Sequence, residues 1–301
     1  MIKRTIEIST HGTYVHTKDE QLVIEKDGLK VGSVPIEDLG VLILDSPQLL
    51  ITSSVMRSLA EQNVAVIFTD QKHLPSSLTI PFSVNSIQTK ILNAQIEVSL
   101  PTKKRLWAAI ISAKIANQAR SLEICGRDGT ALREIAGRVK SGDSENLEAF
   151  AARQYWRKLF GDDFRRDREA HDHNMLLNYG YAIVRAATAR AIVGTGLHPS
   201  LGINHKNQYN PFPLADDLIE PLRPFVDVRV FEMLADPVIP PADPHRIALD
   251  RPAKARLLSL LAEDCAYDGR RLPMMSAIGY YAASVKQVMM GEADKLLIPV
   301  L

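Results

Sequence analysis

With 301 residues, 46% of them hydrophobic, the chain can bury a substantial core and has room for two domains; its composition excludes a disordered or fibrous protein. The formal net charge of +1 names no polyanionic partner, so any basic surface has to be local. Two cysteines, Cys125 and Cys265, exclude a disulfide framework and a thiolate zinc cluster and fit a reducing cytosol.

The opening MIKRTIEIST alternates like a strand and lacks the apolar core of a signal peptide. TIEIST, TYVHT, QLVIEK and LKVGSV are short alternating or β-branched runs, divided by turn signals such as HG and DG. GVLILD (40–45) is continuously apolar, as a strand covered on both faces would be. SSVMRSLAEQN (53–63) has serines for an N-cap and the spacing of one short helix, and VAVIFTD (64–70) returns as a second buried strand. QKHLPSSLTIPFS (71–83), with two prolines and three serines, breaks both periodicities. A linker at 76–84 is therefore expected between a β-rich domain, 1–75, and a helical one, 85–301.

Beyond the linker the pattern is helical. SIQTKILNAQIEVS leads into 102–124, where Trp107, Ile110, Ile111, Lys114, Ile115 and Gln118 trace one face. DGTALREIAGRVKSG follows, then 144–161, with Ser144 as the expected cap and Leu147, Phe150, Ala151, Tyr155 and Leu159 as the apolar stripe. MLLNYGYAIVRAATARAIVGTG (175–196) is the one membrane candidate. Arg185 and Arg190 are costly in mid-bilayer and much of the run is alanine and glycine, so a central buried helix of a soluble protein is expected. The fold class is α+β: a small β-rich N-terminal domain followed by a larger all-α C-terminal domain.

Three places carry candidate chemistry. Glu148 lies in the first turn of its helix, where a carboxylate favours the macrodipole and needs no function. Its own face continues through Ala152, Tyr155 and Leu159, so it must reach solvent or find a cation. Asp217 and Glu220, three apart, share a helical face, while Asp216 is turned away and suits a solvated or capping role. Pro221 and Pro224 directly after this pair are poor helix design; they fit a functional site or simply a proline-interrupted helix start. His205 is either a capping or core histidine or, folded back by the loop that follows it, a partner of the Asp217/Glu220 face. An imidazole with two or three carboxylates suits Mg2+ or Mn2+ better than a structural zinc, and such ions assist phosphoryl transfer. His171 and His173, two apart among acids, are a weaker metal candidate, and the remaining histidines have no supporting constellation.

RQYWRKLFGDDFRRDR (153–168) concentrates Arg153, Arg157, Lys158, Arg165, Arg166 and Arg168 among aromatic residues. Such a run is either a solvated face or a contact for a phosphate backbone, to which TKKR (102–105) would add. No Walker-type glycine loop, GxSxG, HExxH or dinucleotide fingerprint occurs.

VPIEDLGVLIL (34–44), LAEQNVAVIFTDQKHLP (59–75), KKRLWAAIISAKIANQA (103–119), LEAFAARQYW (147–156), NMLLNYGYAIV (174–184), GLHPSLGINH (196–205) and LADDLIEPLRP (214–224) together resemble the CRISPR-associated integrase, the core subunit of spacer acquisition, over essentially the whole chain. The third of these is similar to the form found in type II systems. Ala149 stands where the family commonly has glycine. The resemblance implies metal ligands at Glu148, His205 and Glu220, with Asp217 at a further acidic position. It implies a β-rich domain used for homodimerisation, a helical catalytic domain, and two dimers assembled with a small companion subunit, joined in type II systems by the RNA-guided effector nuclease. The expected activity is cytoplasmic, metal-dependent insertion of short foreign double-stranded DNA into a CRISPR array. In it a fragment's 3′-hydroxyl attacks a repeat phosphodiester, and water in its place would make the protein an endonuclease. The alternatives are a general structure-selective DNA nuclease of repair and a non-catalytic DNA-binding assembly subunit.

Overall fold

The computed structural model describes residues 3–71, 73–82, 84–167, 169–170, 172–235 and 249–301. Its N-terminal part holds two four-stranded sheets. One comprises β1 (Arg4–Ile8), β5 (Leu39–Leu44), β7 (Ala65–Thr69) and β8 (Pro75–Thr79) in that spatial order; the other runs β4 (Leu29–Pro35), β3 (Gln21–Lys26), β2 (Thr13–Lys18), β6 (Leu49–Ile51). The first sheet is parallel from β1 through β5 to β7, and β8 closes it antiparallel. Helix α1 (Ser53–Glu61), capped by the Thr52 hydroxyl on the Val55 N–H, connects β6 to β7.

The continuous apolar run of β5 now has its reason. All six of its residues are buried: Leu39, Leu42 and Leu44 face a core shared with α1, and Val41 and Ile43 face the core of the helical part. Alternate residues of β7 divide the same way, Val66 to one side and Ala65 and Ile67 to the other. The sheet is thus a wall common to two cores. The expected linker, 76–84, overlaps β8, which pairs with β7 and lays Leu78 against the helical core. PSSLT reads poorly as a strand because its small polar residues sit on an edge, where Pro75 costs only an outward-facing N–H.

The helical part follows in order: α2 (Gln88–Glu97), α3 (Leu100–Ile124), α4 (Thr130–Ala136), α5 (Leu147–Phe160), α6 (His173–Gly194), α7 (Pro213–Ile219), a short 3-10 turn (Glu220–Leu222), α8 (Arg223–Ala235), α9 (Arg251–Ser259) and α10 (Met274–Met289). It is not all-α. A hairpin of β9 (Asp264–Tyr267) and β10 (Arg270–Pro273) precedes α10, closed by Asp268 and Gly269 at φ 49° and 74°. That Asp-Gly pair carries the ordinary signature of a two-residue hairpin turn. Nor does Ser144 cap α5. The Asp143 carboxylate takes the N–H groups of Leu147 (2.9 Å) and Glu148 (3.1 Å), a charged acceptor where the hydroxyl would be neutral.

Helix α6 is central, as its composition requires, and buried almost all round. Its arginines find partners: Arg185 pairs with Asp216, and Arg190 donates to the Asn63 carbonyl. At Gly180 a Cβ would stand 2.4 Å from Val226 Cγ1, so glycine allows α6 and α8 to touch. Among the described residues no helix is long and apolar enough to cross a membrane. Both cysteines are free, and burial pushes each thiol up to about 11.

Two buried polar networks stiffen this frame. In one, Lys254 of α9 pairs with Asp45 and reaches Glu7 at 3.5 Å; Tyr179 donates to Glu7 (3.1 Å), and Thr69 (2.5 Å) and His73 (2.8 Å) bond Asp45. This ties the first sheet to α6 and α9. In the other, Asp227 of α8 accepts from the hydroxyls of Tyr155 (2.8 Å) and Tyr181, and Ser121 bonds Tyr155 at 2.9 Å. Burial pushes the Asp227 carboxyl up to about 7, against the two phenols and Arg223, which favour the anion. The folded chain therefore keeps a proton that the unfolded chain sheds near its ordinary value, about 4. Stability should fall as pH rises from about 4 to about 7 and then level off. Asp227→Asn should remove that slope, which thermal melts of both proteins across this range would read; parallel curves would refute it.

Candidate metal centre and nucleic-acid interface

The site is assembled from four elements. Lys114 projects from α3, Glu148 from the first turn of α5, Glu220 from the 3-10 turn after α7, and His205 from the loop between α6 and α7. Glu148 does find the cation that its apolar face demanded. Lys114 Nζ lies 2.6 Å from Glu148 Oε1 and 2.5 Å from Glu220 Oε2, bridging the two carboxylates. Burial alone would pull the Lys114 ammonium towards neutrality, but Glu220 and Glu148 overrule it and keep its pKa above the ordinary value.

Glu220 is the most enclosed of the three predicted ligands, its side chain 7% exposed. Burial pushes its carboxyl up, yet Arg223 and Lys114 hold it at about 2. Arg223 Nε donates to Oε1 at 3.0 Å. Oε2 is buried, and the Lys114 ammonium is in contact with it. The prolines on either side of Leu222 and Arg223 fall where the chain passes from 3-10 turn to α8, so the irregular backbone sits at this carboxylate.

His205 is placed by Asp217 rather than beside Glu148. The wholly buried Asp217 carboxylate accepts from the N–H groups of Ile203 (2.5 Å), Asn204 (3.1 Å) and His205 (3.1 Å), and from His205 Nδ1 (2.7 Å). Four donors converge on one side chain, fixing loop and ring together. The hydrogen bond to Asp217, working against partial burial, raises the His205 pKa, with Glu220 and Asp216 adding to it. With Nδ1 engaged, the neutral ring carries its lone pair on Nε2. Trp107 packs perpendicular to the imidazole, centroids 5.8 Å apart.

His205 and Glu220 line one cavity of about 560 Å3, together with Arg166, Arg185, Arg223 and Tyr181. Two guanidinium groups lie over the Tyr181 ring, Arg223 at 4.7 Å and Arg166 at 5.3 Å from its centre. Asp216 is partly exposed at the cavity wall, where it anchors Arg185, with Asn210 as a second contact. Glu148 stands outside this cavity, joined to Glu220 through Lys114. Among the described residues, no three His, Cys, Asp or Glu side chains converge on a common point.

By chemical type the donors suit a hard divalent ion: an imidazole nitrogen and carboxylate oxygens, with a cationic group already held between Glu148 and Glu220. Sequence reasoning missed Lys114, Arg223 and Arg185. A lysine on the apolar face of α3 carried the same signal as Glu148, a charge that has to be paired; the two signals were complementary.

The basic run divides. Arg153, Arg157, Arg165 and Arg166 line a groove of about 910 Å3 with Phe150, Trp156 and Phe164. Arg157 is paired with Asp162 (2.7 Å), and Arg166 bonds Asn174 (2.7 Å) and Asn178 (2.6 Å) while also reaching the first cavity. Lys158 turns away to Asp128 at 3.2 Å. Arg168 and His171 lie outside the described residues, and His173 packs on Phe160 and Phe164 with its pKa lowered by burial.

Residues 6–263 match the family model described as CRISPR associated protein Cas1. The chain is 40% identical over 225 residues to a CRISPR-associated endonuclease Cas1 of Neisseria meningitidis serogroup C, covering 74% of this chain and 73% of that one. Among solved structures it resembles a casposase bound to integration product, with a TM-score of 0.80 at 20% identity over 97% of this chain and 92% of the other. It also resembles a chain of a Cas6-RT-Cas1–Cas2 complex, with a TM-score of 0.73 at 18% identity over 96% of this chain and 35% of that one. At these identities the structural likenesses concern the fold.

Proposed function

This chain belongs to the Cas1 family of CRISPR-associated proteins, and from that premise we propose that it is a metal-dependent DNA endonuclease and integrase that inserts short DNA fragments into a CRISPR array. The observation that carries the reading is the pairing of a buried carboxylate, Glu220, with an oriented imidazole, His205, on the wall of an arginine-lined cavity. The relatives' endonuclease name and the casposase's bound integration product support the same chemistry.

Glu148, His205 and Glu220 would hold the ion, Mg2+ or Mn2+. When bound, such a cation supplies Lewis acidity at a phosphoryl oxygen and eases deprotonation of an attacking hydroxyl. The chain's own residues do the rest. Asp217 keeps the His205 ring oriented and its Nε2 available, and Arg223 fixes Glu220 through Oε1. Arg166, Arg185 and Arg223 give the cavity wall the charge to seat a DNA phosphate, while Asp216 keeps Arg185 in place. The groove of Arg153, Arg157 and Arg165 extends that field along a backbone without reading its sequence. The substrates are double-stranded fragments with free 3′ ends and the repeat. The working form is a homodimer, joined through its β-rich part, with a small companion subunit and in type II systems the RNA-guided effector nuclease, in the cytoplasm. The Cas1–Cas2 neighbour supports the companion.

The test is strand transfer into a supercoiled plasmid carrying the cognate repeat, with short duplex DNA, Mn2+ or Mg2+ and the companion subunit. Wild type should give joined product, and His205→Ala should give at least about a hundredfold less. Cleavage without joining would make the protein a nuclease. DNA binding without metal-dependent strand chemistry would make it an assembly subunit.

A further inference from the structure

Lys114 is an expensive residue to keep where it is. Its side chain is 11% exposed on α3, on a face shared with Trp107, Ile110, Ile111, Ile115 and Gln118. An ammonium withdrawn from water needs compensation, and two carboxylates from separate elements supply it, at 2.6 and 2.5 Å. The arrangement is reciprocal: without a cation between them, Glu148 and Glu220 would face each other as like charges. Arg223 already satisfies Glu220 Oε1. The oxygen that Lys114 faces is the other one, Oε2, at 2.5 Å. Lys114 therefore stands between the two carboxylates that a divalent ion would use and occupies the oxygen such an ion would need.

We propose that Lys114 is an internal placeholder for the divalent cation: its ammonium neutralises Glu148 and Glu220 in the metal-free chain and must be displaced when the ion enters. The inference rests on the metal-centre reading above and goes beyond it, since it makes the affinity of the centre a competition rather than a property of the ligands alone. The exchange replaces one positive charge by two at the same carboxylates, while the flexible four-carbon stem of lysine allows the ammonium to withdraw. The competitor also sets a threshold. The centre stays neutralised at low metal concentration and opens only where free Mg2+ or Mn2+ is abundant.

The experiment is a Mn2+ titration of the full-length chain, read by the electron paramagnetic resonance of free Mn2+, with melting temperatures recorded with and without the ion. Lys114→Met removes the competing charge. Lys114→Gln also removes it but keeps a hydrogen-bond donor for the carboxylates, so that at least one variant folds for measurement. Both should bind Mn2+ at least about tenfold more tightly than wild type, and their melting temperatures should rise more on adding it. A lysine with a purely structural role would lower the metal-free melting temperature and leave the affinity of the folded protein unchanged, which overturns the proposal. Weaker binding by Lys114→Gln overturns it too, because Lys114 would then organise the ligands rather than compete with the ion. Glu220→Gln, titrated alongside, separates the two readings. If neither wild type nor the Lys114 variants bind Mn2+, or if Glu220→Gln binds it as wild type does, the metal centre itself is wrong and the placeholder falls with it. If Glu220→Gln loses binding while the Lys114 variants match wild type, only the placeholder is wrong.

Discussion

Glu220→Ala is expected to abolish strand joining and to cost about 3–5 kcal/mol of stability, whereas Glu148→Ala abolishes joining with a stability change within about 1 kcal/mol. The two carboxylates share Lys114 but not their surroundings. Glu220 is enclosed between two cations, so its loss leaves Arg223 without its carboxylate partner and the largely buried Lys114 with Glu148 alone. Glu148 is 29% exposed, and when it is removed Lys114 keeps Glu220. Urea unfolding beside the strand-transfer assay reads both consequences. Glu220→Gln, which keeps the shape and a partial acceptor, should recover part of the stability and none of the joining. Equal stability losses for the two alanine variants would mean that the charges around Glu220 are solvated after all, contrary to its burial.

The second large effect lies in the Lys254 network. Lys254→Met should destabilise the chain by about 3–5 kcal/mol at neutral pH, because it leaves Glu7 and Asp45 facing each other behind β1 and β5 with no cation. The sign with pH follows from Asp45. Burial pushes its carboxyl up, but Lys254, Thr69 and His73 overrule this and hold it below the ordinary value. In wild type that contribution is complete above the unfolded value, about 3.9, and is lost as pH falls through the lower folded one. In the variant the burial cost is unopposed by the ammonium, so the deficit should be largest near neutrality and shrink as acid protonates the pair. Urea midpoints at pH 7 and pH 4 check it; a deficit that does not change between them would count against the pairing.

What could be read from the sequence follows from how far a signal reaches along the chain. GVLILD announced burial on both faces because the alternation of a strand is a local property, and Val41 and Leu42 do point to different cores. His205, Asp217 and Glu220 stood out because a histidine, a short loop and two acids three apart fit within one stretch. That Asp217 would hold the ring and its loop, while Glu220 faced Lys114, depended on how α3 packs against the 3-10 turn, and no spacing encodes that. Lys114 and Glu148 each signalled an unpaired charge on an apolar face; only the fold introduces them to each other. The hairpin at Asp268 and Gly269 was available to a local reading, since Asp-Gly is a two-residue turn signal, but its strands are four residues each and lie among strong helical patterns. Ser144 misled because cap preference ranks residue types, whereas the left-handed turn at Asn146 brought Asp143 to the helix end instead.

The wall formed by β5 and β7 has a mechanical consequence. A sheet whose opposite faces belong to different cores cannot act as a hinge, because any rotation of one half would shear Val41, Ile43 and Ile67 out of the packing that holds Leu42, Leu44 and Val66. The β-rich and helical parts therefore share their packing across this wall. On the proposed function, the wall would keep the candidate centre at a fixed distance from the β-rich part while DNA is bound and released.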